Sequence, residues 1–204
     1  MWNKIQRIYI GTQKVRPKEV YEYTYDFTTW SKSDLQSRWW TVPNWNTINS
    51  NGYYNSSKNW SLMTFSSSEL TEAMQLAQKL TMSVTWYSTW GHQKVFGFKH
   101  TWWQETIFYG DGVTTASGNQ VIFWNDNLIM GDGNVYGSTG TYTQILTVNF
   151  ISKTWAYQWN PSDQTGTVTD TAIGYFRAWW NIQIYFQNDS TAWYMKNFSI
   201  IIEH

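Results

Sequence analysis

The sequence predicts an all-β protein: an antiparallel two-sheet sandwich with a short N-terminal β arm and one short connecting helix. Three observations carry that expectation. Apolar and polar residues alternate with period two in several runs, Gly, Asn, Asp and Ser separate those runs, and 204 residues suit one large sandwich domain. The boundary is placed at Pro17, so residues 1–17 form the arm and residues 18–204 the sandwich.

In the arm, Ile5, Ile8, Tyr9 and Ile10 precede Gly11, and Val15 follows it; Lys4, Arg7, Lys14 and Arg16 supply charge, the pattern of a short hairpin. Such an arm either adds a strand to a neighbouring subunit or pairs with the edge of its own sandwich. Residues 21–27 then open the sandwich. In residues 80–87, Leu80, Met82, Val84 and Trp86 point one way, and Thr81, Ser83, Thr85 and Tyr87 the other. Ile182, Ile184 and Phe186 repeat the pattern, as do Leu146, Val148 and Phe150. Further strands are expected at 60–65, 95–98, 105–109, 120–124 and 128–130. In the last strand, 193–202, Trp193 and Met195 fall out of phase with Phe198, Ile200 and Ile202, which requires a bulge near Lys196 and Asn197. The helix is expected over about 69–79, with Ser66 and Glu69 as a capping box and Leu70, Met74 and Ala77 on one side.

Composition narrows the function. The 16 Trp, 14 Tyr and 10 Phe outnumber Ile, Leu and Val together, so aromatics must dominate the core and leave a surplus for surfaces. Fourteen basic and 14 acidic residues balance, and no Lys or Arg cluster forms a positive groove, which argues against nucleic acid as a partner. With no cysteine, disulfides, thiolate chemistry and the common zinc sites are excluded. The start of the sequence lacks the apolar stretch of a secretory signal, and no run of about 18 apolar residues predicts a membrane span.

Two groups of segments carry a resemblance. Ile8-Tyr9-Ile10-Gly11-Thr12-Gln13-Lys14-Val15-Arg16-Pro17 resembles the opening of many bacteriophage tail and virion-surface proteins. Tyr25-Asp26-Phe27-Thr28, residues 80–86 and residues 193–200 are similar to concanavalin A-like or laminin-G-like jelly rolls. The resemblance implies a virion component with a glycan-binding type of fold, as in tails, fibres or capsid decorations. In related jelly rolls a carboxylate late in the final strand helps to hold a structural calcium. Lys196 occupies the matching position, and an ammonium cannot ligate a hard cation.

The candidate sugar-binding residues are adjacent aromatic pairs flanked by polar side chains: Trp39-Trp40, Trp102-Trp103 and Trp179-Trp180, with Tyr109 nearby. Neighbours on a strand face opposite sides, so one ring of each pair can be core while the other stacks on a pyranose. Both rings of a pair can equally be covered, by a loop or a neighbouring subunit. Asp111 and Asp132 each lie between two glycines, with Asp126 close by; these are turns first and weak calcium candidates second.

Catalysis is not expected. No alternating Glu-x-Asp-x-Glu pattern supplies the paired carboxylates of a glycosidase, His92 and His100 lack suitably spaced companions, and no Gly-x-Ser-x-Gly elbow occurs. The expected function is a phage virion-associated structural protein whose arm mediates assembly and whose sandwich meets other virion proteins, itself as a homo-oligomer, or a host-surface glycan. A free carbohydrate-binding module or adhesin is the alternative, followed by a polysaccharide lyase or glycoside hydrolase on the same fold. No cofactor is expected, and the expected location is the virion, after synthesis in the host cytoplasm.

Overall fold

The structure, a computed structural model, describes residues 20–29, 31–38, 40–42, 46–50, 52–55, 62–88, 94–100, 140–159, 162–168, 170–177, 182–188 and 193–204. These residues form, in chain order, β1 (Val20–Asp26), α1 (Lys32–Ser37), β2 (Trp40–Thr41), β3 (Asn46–Asn49), β4 (Gly52–Asn55) and β5 (Leu62–Phe65). They continue with α2 (Ser68–Leu76), β6 (Lys79–Ser88), β7 (Lys94–His100), β8 (Gly140–Asn149), β9 (Thr154–Trp159) and β10 (Ser162–Thr167), and end with α3 (Asp170–Phe176), β11 (Ile182–Asn188) and β12 (Trp193–Glu203). The arm with Ile5, Arg7, Ile8, Tyr9, Ile10, Val15 and Arg16, and the expected strands at 105–109, 120–124 and 128–130, lie outside the described residues.

The strands make two antiparallel sheets, as expected. The larger has the order β10-β9-β8-β6-β12-β4-β3, with β1 also on β12; the smaller is β2-β5-β11-β7. Alternation decides the faces of the larger sheet. One buried row runs Tyr21, Ile202, Leu80, Val148 and Trp155 across β1, β12, β6, β8 and β9, and the next runs through Ile200, Met82, Leu146 and Tyr157. The opposite face carries Ser199, Ser83, Ile145 and Gln158 in one row and Ile201, Thr81, Thr147 and Ala156 in another. A one-residue slip would exchange the two sets, so burial of one face fixes the register.

The sheets meet face to face through aromatic rings. Tyr25 and Phe198 of the larger sheet pack on Trp40 and Phe65 of the smaller, with Tyr25 to Trp40 at 4.9 Å, Tyr25 to Phe65 at 5.8 Å and Trp40 to Phe198 at 5.9 Å between centroids. Such tilted and edge-on pairs contribute about 0.5–1.5 kcal/mol each beyond their buried area. A second group joins Phe98 of β7 and Phe150, just after β8, to Phe176 of α3 at 5.4 and 5.1 Å. Burial raises the Tyr21 and Tyr25 phenols well above their ordinary range, because a phenolate in this core would lose its hydration.

The central strand is β12. One edge pairs with β6 from Trp193 to Glu203; the other is shared end to end, with β1 along Asn197–Glu203 and β4 at Met195. The expected bulge lies where the partners change. Met195 stands opposite Trp86 and Asn197 opposite Thr85, leaving Lys196 as the extra residue. Its carbonyl accepts the Phe27 N–H at 2.8 Å as β1 peels away. Gly52, which begins β4 at a φ of 114°, fits beneath this turn because a Cβ there would come within 2.3 Å of the Met195 carbonyl oxygen.

Among the described residues three helices stand where one was expected. α2 runs over 68–76 and its cap is Ser67, whose Oγ accepts the Leu70 N–H at 3.1 Å, so the expected Ser66–Glu69 box does not form. Leu70, Ala73 and Met74 are buried, and Ala77, also buried, closes the helix. α1 offers one apolar residue, Leu35, and depends on its Ser31 cap; α3 buries Ile173 and Phe176 but is interrupted in pattern by Gly174. Neither presents the repeated apolar stripe that a sequence reading needs. Strands β2, β3, β4, β9 and β10 were likewise not anticipated; β10, an edge strand reading SDQTGT, contains no large apolar residue.

Candidate functional site

Trp40 is the only member of the predicted aromatic pairs within the described residues, and it is core, 2 % exposed. One ring of that pair is therefore a packing residue, as alternation allows. Trp39, Trp102, Trp103, Tyr109, Trp179 and Trp180, and the weak metal candidates Asp111, Asp126 and Asp132, lie outside the described residues. Among the described residues no group of three His, Cys, Asp or Glu side chains is placed to hold a metal ion.

The described surface does assemble one aromatic patch, on the solvent side of the larger sheet where β6 and β12 approach the bulge. Tyr87 and Tyr194 stand directly opposite each other across the two strands, with ring centroids 6.3 Å apart and planes tilted by 43°. Lys196 reaches over the Tyr87 ring, its Nζ 5.2 Å from the centroid, a cation–π contact. All three side chains are half-buried. Each position has a backbone cause. Tyr87 faces outward because Trp86 faces in, Tyr194 because Met195 does, and Lys196 because the bulge adds it without an opposing residue.

Hydroxyl groups border the patch. In the adjacent row the Thr85 and Thr143 Oγ1 atoms lie 3.1 Å apart in a hydrogen bond. That row continues through Asn197 to Asp26, whose Oδ1 accepts the Thr28 N–H at 2.9 Å and the Thr28 hydroxyl at 2.6 Å. The patch thus offers two aromatic rings, one of them beneath the Lys196 ammonium, and several donors and acceptors. These groups suit the apolar face and the hydroxyls of a sugar.

Sequence reasoning sought rings adjacent in the chain and missed this pair, whose members are far apart in sequence and meet only through strand pairing. The signals were present in part: alternation points Tyr87 outward, and the phase change in the last strand places a bulge near Lys196 and Asn197.

No family model and no curated protein matches the sequence. Solved structures match its fold. A winged bean acidic lectin complexed with methyl-α-D-galactose superposes with a TM-score of 0.53 at 12% identity, over 91% of this chain and 100% of the lectin chain. Peanut lectin, solved with a nine-residue peptide, gives 0.51 at 11% identity over 91% and 98% of the two chains. The CBM2 module of the Lactobacillus casei BL23 phage J-1 evolved Dit gives 0.48 at 13% identity over 91% and 97%. The two lectins carry the assignment: the chain has the concanavalin A-like β-sandwich fold of lectins.

Proposed function

We propose that this chain is a virion-associated structural protein of a bacteriophage, a non-catalytic component of a tail, fibre or capsid decoration, whose sandwich serves subunit assembly and attachment to a host-surface glycan. The observation that carries the glycan reading is the lectin fold, shared over nearly the whole chain with a lectin holding methyl-α-D-galactose. Support for the virion reading comes from residues 8–17, which resemble the opening of phage tail and virion-surface proteins. The aromatic surplus is consistent with subunit contacts, whose centres are rich in Trp, Tyr and Phe.

Two measurements test this. Size-exclusion chromatography with light scattering, on the intact chain and on a chain lacking residues 1–17, is expected to give an oligomer that dissociates without the arm. A monomer in both would remove the assembly role and leave a free carbohydrate-binding module. A glycan array with no hits would remove the attachment role.

A further inference from the structure

We propose that Tyr87, Tyr194 and Lys196 form a binding site for an anionic pyranose, one bearing a carboxylate or a phosphate. The inference rests on the glycan-attachment reading above and adds the substrate class and the place on the fold. Its basis is charge complementarity at a surface that backbone geometry has already arranged.

Lys196 makes no ion pair with any described residue. Two other described lysines are paired: Lys79 Nζ is 3.3 Å from Glu203 Oε1, and Lys153 Nζ is 2.7 Å from Asp170 Oδ1. The carboxylate closest by register, Asp26, is engaged by Thr28. The Lys196 ammonium instead rests on the Tyr87 ring, available to an incoming anion from its solvent side.

The site is also preorganised. Lys196 is held by its place in the bulge, by the Phe27 N–H on its carbonyl and by Gly52 packed beneath Met195, not by a loop. Tyr87 and Tyr194 are partly buried and mutually packed, so stacking a sugar costs little further side-chain freedom. The two ring planes are tilted by 43° to each other. A pyranose stacked on the Tyr194 ring sets its C–H groups against that ring and its anionic substituent toward the Lys196 ammonium over Tyr87, while the Thr85–Thr143 row borders the hydroxyls. A lysine acts here as a point charge and does not require the flat, two-pronged geometry of a carboxylate, so carboxylate and phosphate fit alike.

The test is a ¹⁵N chemical-shift titration of the full chain, which reports affinity and location together. The probes are tri-galacturonate, its methyl ester as the uncharged counterpart, and mannose 6-phosphate as the phosphate source. Either anionic probe is expected to shift the amides of residues 85–88 and 193–197, with binding weakened by added salt. Lys196→Gln is expected to weaken the anionic probe about tenfold, the size of one charge-assisted contact, and to leave the methyl ester unchanged. Tyr194→Leu is expected to weaken charged and uncharged probes together. Unmoved amides in both stretches, or equal affinity for charged and esterified probes in both wild type and Lys196→Gln, would overturn the proposal. Binding of the ester at another surface, with these stretches unmoved, would overturn it and leave glycan attachment standing. A glycan array without any hit would remove the broader reading as well.

Discussion

Replacing Gly52 by alanine probes the junction on which both the central strand and the proposed sugar site depend. Two costs add. Gly52 has a φ of 114°, where an L side chain is strained by about 1–3 kcal/mol. In addition, the new Cβ would lie 2.3 Å from the Met195 carbonyl oxygen and 3.0 Å from its carbon, closer than such atoms approach without movement. Relieving that contact must push β4 away from β12 or shift the bulge, with a cost of the overpacking kind, about 1–3 kcal/mol. Part of the strain is relieved by the same movement, so the expected loss is about 2–4 kcal/mol. Urea unfolding followed by tryptophan fluorescence measures it, and Gly174→Ala is the matched control. Gly174 is exposed in α3 with open space where its Cβ would go, so alanine there should stabilise by about 0.5–1 kcal/mol through helix propensity. A Gly52→Ala chain within about 0.5 kcal/mol of wild type would refute the account of this junction. If the chain stays folded, the amide shifts of residues 193–197 should still differ from wild type, because the bulge is what the alanine displaces.

Three further outcomes are expected. The buried Tyr21 and Tyr25 phenols have raised folded values, so their contribution is fully present below the ordinary value of 10.0 and is lost as pH rises above it. Stability should fall by about 1.4 kcal/mol per pH unit for each of the two groups, and Tyr25→Phe should lower the slope; equal urea midpoints at pH 8 and pH 11 would contradict this. Trp86 Nε1–H donates to Gln144 Oε1 at 2.7 Å inside the core, and Gln144 Nε2 has no partner. Trp86→Phe should therefore cost about 2–4 kcal/mol, and adding Gln144→Leu should recover part of it; additivity within about 0.5 kcal/mol in the double-mutant cycle would show that the bond carries no coupling. Ser67→Ala should cost about 1 kcal/mol by freeing the Leu70 N–H, whereas Ser66→Ala should cost little, which unfolding midpoints of the two variants would separate.

Much of the sandwich is legible in sequence because period-two alternation is a local property. Leu80 to Trp86 in β6 and Phe198 to Ile202 in β12 each declare a buried face, and the broken phase near Lys196 and Asn197 declares a bulge without any knowledge of its neighbours. Elements without that signature were not legible. β10 is a polar edge strand, α1 has one apolar residue, and the α2 cap moved from Ser66 to Ser67 because the choice between adjacent serines depends on how the helix docks. Burial of Trp40 was allowed by alternation, but its partners Tyr25, Phe65 and Phe198 come from three other strands. The candidate site separates the two levels most clearly. The sequence by itself determined an all-β chain rich in aromatics, with Tyr87 turned outward and a bulge near Lys196 and Asn197. Only the tertiary structure decided that Tyr194 stands opposite Tyr87 and that the Lys196 ammonium lies on its ring, because pairing between distant strands is settled by the packing of the whole core and by no local pattern.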